Sequence, residues 1–103
     1  MSGAQVPHGA LGGDASASLE GERIEVSRVA AAFGQVLRRV RRERGLSQEA
    51  LASGAEMDRT YPSLLERGLR HPTLTVLLRL ARALTVEPAE LVNRTVRALR
   101  ERV

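Results

Sequence analysis

At 103 residues the chain has room for one small domain with a compact core, and its lack of cysteine excludes both a disulfide framework and a cysteine zinc site. One Phe, one Tyr and no Trp leave aliphatic side chains to fill the interior. The net charge of +4 is unevenly placed: residues 1–26 hold one Arg against four acids, whereas residues 27–103 hold fifteen Arg against eight. All sixteen cations are Arg, which suits bidentate bonding to phosphate and guanine, although a GC-rich genome also spells basic residues as Arg. No stretch approaches the apolar length of a membrane span and nothing resembles a secretory signal, so a cytoplasmic location is expected.

Residues 1–24 are rich in Gly, Ala and Ser with no apolar period, which predicts a flexible acidic tail. Its negative charge argues against a DNA-gripping arm, and His8 is given no role. From Ser27, a suitable N-cap, Val29, Phe33, Val36, Leu37 and Val40 recur every three or four residues until Gly45, predicting a first long helix. Arg38, Arg39, Arg42 and Arg44 lie along its outer side, a pattern that a solvated helix face also produces.

Ser47 and Asp58, eleven residues apart, can each accept from the amides that open a helix, so two short helices joined by a turn are expected. Leu51 and Ala55 share a face of the first; Pro62 and Leu65 share a face of the second, with Met57 plugging the turn. The opposite face of the second helix gathers Arg59, Thr60, Ser63, Leu64 and Arg67. Pro62 would then fall at the fourth helical position, where it lacks an amide hydrogen and crowds the Asp58 carbonyl; on that basis Pro62→Ile should be mildly stabilising. After Gly68 comes a loop carrying Arg70, and Thr73 caps a helix whose Leu74, Leu77, Leu78, Ala81 and Leu84 form one stripe assigned to the core. Pro88 opens a last helix in which Leu91 and Val92 close the core. In the extension 93–103, Val96, Leu99 and Val103 continue the seam from Val92 at coiled-coil-like spacing, which favours a subunit contact over packing on the first helix.

The run SQEALA, a turn, then DRTYPSLLERG resembles the helix-turn-helix of the phage-repressor-like DNA-binding family, and the likeness extends from about Phe33 to Val92. The resemblance implies an all-α, five-helix, lambda-repressor-like domain over residues 25–92 with a central helix-turn-helix and an extended C-terminal helix. It also implies an ion pair between Arg41 and Glu66, and a glutamine, here Gln48, that holds a phosphate. Glu56 and Thr85 stand where that family commonly has Gly, and Glu56 is expected to reshape its turn. Details are similar to the controller proteins of restriction and modification systems.

These features predict a sequence-specific regulator of transcription that binds double-stranded DNA as a homodimer on a two-fold site. The expected interface comprises Arg38, Ser47, Gln48, Asp58, Arg59, Thr60, Ser63, Leu64, Arg67 and Arg70, with Arg59 and Thr60 reaching base edges. No cofactor or metal is expected; His71 has no second ligand spaced to join it. An antitoxin with a protein partner, and an interaction module that has lost DNA binding, remain open alternatives. An enzyme is the poorest reading, because no nucleophile, His pair or carboxylate pair is evident.

Overall fold

The computed structural model describes residues 19–21 and 23–101, and all of its regular structure is helical. Five helices follow in order: α1 Val26–Glu43, α2 Gln48–Gly54, α3 Tyr61–Glu66, α4 Leu74–Leu84 and α5 Pro88–Glu101. Most of the expected tail, His8 among it, and Val103 lie outside the described residues.

The core is aliphatic around a single ring. Phe33, Val36, Leu37 and Val40 of α1 meet Leu51 and Ala55 near α2, Leu65 of α3, Leu77, Leu80, Ala81 and Leu84 of α4, and Leu91 of α5. The first helix differs from expectation at its start: it opens at Val26 after Glu25, with no side-chain cap, so Ser27 lies inside the helix. By contrast, Ser47 Oγ accepts from the Ala50 amide at 3.0 Å and Thr73 Oγ1 from the Val76 amide at 3.1 Å, each supplying a partner to an otherwise unpaired N–H.

Four of the helices end in the same way. After α1, Leu46 N donates to Arg41 O at 3.1 Å and Gly45 N to Arg42 O at 3.0 Å; α2, α3 and α4 repeat this pair of bonds around Glu56, Gly68 and Thr85. This closure needs one residue in the left-handed region and favours an apolar residue after it. Leu46, Met57 and Val86 fill that second place and pack against the core. Gly45 and Gly68 meet the first requirement at φ +72° and +74°, while Glu56 and Thr85 adopt φ +57° and +54° despite their side chains. The turn at Glu56 is therefore not reshaped; the backbone keeps the Gly-like conformation and carries the strain.

The last helix lies antiparallel along α1. Arg28 Nη2, near the start of α1, donates to Leu99 O at 3.3 Å, and Arg94 Nη1 donates to Glu43 Oε1, at the end of α1, at 3.3 Å. Val96 and Leu99 are only 6% and 3% exposed. For Val96 and Leu99 the expected subunit contact is thus corrected: α1 offers α5 an apolar flank, and burial within the chain claims these two side chains first. The stripe on α4 is corrected as well. Leu77, Leu80, Ala81 and Leu84 are buried, but Leu74 and Leu78 stand 71% and 48% exposed, since α4 is covered on one side only.

Replacing Thr85 by Gly should stabilise the fold by about 1 kcal/mol, because a β-branched residue in the left-handed region is strained and Gly is not. Glu56→Gly should act in the same direction, less strongly, and Gly45→Ala in the opposite one. Denaturant unfolding of the three variants measures the signs together.

Candidate nucleic-acid interface

Helices α2 and α3 present their apolar sides inward, through Leu51, Ala52, Ala55, Pro62 and Leu65, and so must turn their polar sides out. The outward sides meet in one shallow cleft lined by Gln48, Glu49, Arg59, Thr60, Ser63, Leu64 and Arg67. Six of these residues were expected from the sequence; Glu49 was not. Arg38 of α1, Ser47, Asp58 and Arg70 are exposed but do not line the cleft.

The local geometry before α3 departs from the expected capping. Asp58 does not cap the helix directly; its Oδ1 accepts from the Thr60 amide at 2.8 Å and from the Thr60 hydroxyl at 2.5 Å, while Tyr61 N donates to Asp58 O at 3.0 Å. The Thr60 hydroxyl and then its amide hold the Asp58 carboxyl below its ordinary value. The helix therefore starts at Tyr61, and Arg59 and Thr60 occupy the turn ahead of it. Pro62 falls in the first turn, where an amide would have no intrahelical acceptor, and its ring is fully buried. Pro62→Ile thus has no backbone bond to restore, which removes the reason for the gain expected from the sequence.

Beneath the cleft, Arg41 ties three elements together. Its Nε donates to Glu66 Oε2 at 2.5 Å, its Nη2 to Glu66 Oε1 at 3.0 Å and its Nη1 to Leu46 O at 2.8 Å. The side chains of Arg41 and Glu66 are 11% and 3% exposed, so the pair is almost fully removed from water. Gln48 Nε2 adds a third bond to the carboxylate, reaching Glu66 Oε1 at 3.0 Å. Gln48, read from the sequence as a phosphate contact, is in the first place a strut between α2 and α3. Burial pushes the Glu66 carboxyl up, but the bonds from Arg41 and Gln48, helped by the charges of Arg41 and Arg38, outweigh it and leave the group below its ordinary value.

Gly34 is a positioning residue that sequence reasoning missed. A methyl group there would stand 2.7 Å from the Glu66 carbonyl oxygen and closer still to that of Leu65, so only Gly lets α1 touch the end of α3 main chain to main chain. Gly68 approaches α1 in the same way: a methyl there would be 3.2 Å from the Ala31 Cα. No periodicity announces such a contact; a lone Gly inside a strong helical pattern is the only sequence signal. For Glu49, the signal was its place beside Gln48 in the first turn of α2. Arg59 Nη2 donates to its Oε2 at 3.3 Å.

Residues 32–94 match the family model described as a helix-turn-helix domain. The chain is 45% identical over 62 residues to the uncharacterised HTH-type transcriptional regulator y4dJ of Sinorhizobium fredii, covering 60% of this chain and 80% of that protein. It is 39% identical over 64 residues to the control protein C.BamHI of Bacillus amyloliquefaciens, covering 61% of this chain and 79% of that protein. Among solved structures it is similar to the restriction-modification controller protein C.AhdI of Aeromonas hydrophila, at 48% identity and a TM-score of 0.59, over 60% of this chain and 94% of the other.

Glu66→Ala should destabilise the fold by about 3 to 5 kcal/mol at neutral pH, because it strands a buried guanidinium. Glu66→Gln, which keeps the shape, should cost less and in a pH-dependent way. Since the Glu66 carboxyl is depressed in the folded state, its contribution is present above the ordinary carboxylate value and is lost as pH falls through the folded value. Unfolding curves from neutral to acid pH should show wild type and Glu66→Gln converging at the acid end.

Proposed function

Because the chain belongs to the helix-turn-helix domain family, with transcriptional regulators and controller proteins among its relatives, we propose that it is a sequence-specific DNA-binding regulator of transcription. It acts in the cytoplasm as a homodimer on a two-fold operator. The observation that carries this reading is the α2–α3 cleft, where Gln48, Arg59, Thr60, Ser63, Leu64 and Arg67 come together on the outward side of two helices whose inward sides are core.

On this reading the residues divide by task. Arg59 and Thr60, in the turn ahead of α3, stand where a recognition helix would first meet the major groove, and the Arg59 fork fits the O6 and N7 acceptors of a guanine. The Thr60 hydroxyl already donates to Asp58, so it can offer a base only its lone pairs and its methyl group. Ser63, Leu64 and Arg67 follow along α3. Arg38 and Arg70, at the margins, hold phosphates and fix register, and the remaining N–H of Gln48 is free to add a neutral contact.

A two-fold operator calls for a two-fold protein. With Val96 and Leu99 enclosed, the dimer forms instead through the face of α4 that carries Leu74 and Leu78, exposed apolar side chains one turn apart. Selection of bound duplexes from a random pool should return a palindromic consensus, and failure to enrich any sequence would remove this function. Arg59→Ala should weaken binding to the selected site by about 1 to 3 kcal/mol and weaken binding to scrambled DNA much less. Arg70→Ala should weaken both alike and reduce the salt slope by roughly one. Leu78→Glu should sediment as a folded monomer where wild type is a dimer.

A further inference from the structure

Among the described residues that line the α2–α3 cleft, Glu49 is the sole acid. It projects from the first turn of α2 beside Arg59, whose Nη2 donates to Glu49 Oε2 at 3.3 Å, and the two side chains are 72% and 78% exposed. A pair so exposed contributes little to folding. On a surface that approaches phosphates, the carboxylate also opposes every duplex through simple repulsion. That repulsion is common to all sequences, so any effect on selectivity lies in what Glu49 does to Arg59. A guanidinium has five N–H donors in a rigid plane. With one hydrogen of Nη2 engaged by Glu49, one edge of the fork is occupied and the other keeps a full pair of donors.

We propose that Glu49 is a specificity-determining residue: it aims Arg59 at the base edge and penalises DNA that gives Arg59 no pair of acceptors. Where the edge is a guanine, the Arg59 charge is shared between O6/N7 and Glu49, and the carboxylate stays neutralised. Where it is not, Arg59 either remains on Glu49 and reads nothing, or swings to a phosphate and leaves Glu49 unpaired against an anionic duplex. The same carboxylate thus costs little on the matched site and more on every other one. This inference rests on the reading that the α2–α3 face binds DNA.

Glu49→Gln tests it, since the amide keeps the length and one acceptor oxygen while removing the charge. Binding of the full-length protein to its selected duplex and to a scrambled duplex is measured across a salt series. Affinity for scrambled DNA should rise about threefold and its salt slope steepen by up to about one. Affinity for the selected duplex should change less, so that the ratio of the two falls. Thermal unfolding should be unaltered, which separates this role from a structural one. In an Arg59→Ala background the same substitution should no longer lower the ratio. Equal rises on both duplexes, or an undiminished fall in the ratio without Arg59, would overturn the proposal while leaving DNA binding intact. Failure of the unsubstituted protein to bind any duplex would overturn the DNA reading, and this inference with it.

Discussion

The structure is organised around the bond between Arg41 and Glu66. Taking a guanidinium and a carboxylate out of water is costly, and their mutual attraction offsets that cost only when nearly every donor and lone pair is used. Here Arg41 gives two bonds to Glu66 and one to Leu46 O, and Glu66 receives a third from Gln48. The consequence is orientational more than energetic. A helix as short as α3 has little stability of its own, and this network fixes its end to α1, to the turn after α1 and to the first turn of α2. The exposed residues ahead of α3 inherit that fixed direction.

The helix ends supply a second constraint. The same closure, with a left-handed residue followed by an apolar one, reverses the chain after α1, α2, α3 and α4. Its demand is on the backbone, so Glu56 and Thr85 comply with it at some strain instead of altering it. Tight reversals leave short connections, and short connections between short helices allow a core built around a single aromatic ring to close.

How much of this was legible in the sequence follows from the range of each interaction. Ser47, Thr73, Gly45 and Gly68 were readable because a cap or a helix stop is settled within a few residues. Arg41 and Glu66, far apart in sequence, came only from the likeness of the whole run to a known family. Pro62 was misplaced because Asp58, a good capping residue, turned to Thr60 and delayed the helix to Tyr61. Leu78 and Val96 were misassigned for one reason: periodicity tells which side chains share a face, but not how wide a neighbour covers that face. Gly34 escaped because an absent side chain leaves no pattern, and Glu49 because its meaning depends on Arg59, ten residues away and beside it only after folding.

The seat of α3 on Gly34 is made of main-chain atoms, and main chain is common to every sequence. Asp58 and Thr60 apart, which together set where the helix starts, the outward residues of the turn and of α3 can therefore be exchanged without disturbing how the helix is mounted. Substitutions on the hidden side of α1 would do the converse, tilting the whole reading surface while leaving its chemistry intact. What the protein recognises and how deeply it engages are thus written in separate parts of the chain, and a lineage could adjust either one while keeping the other.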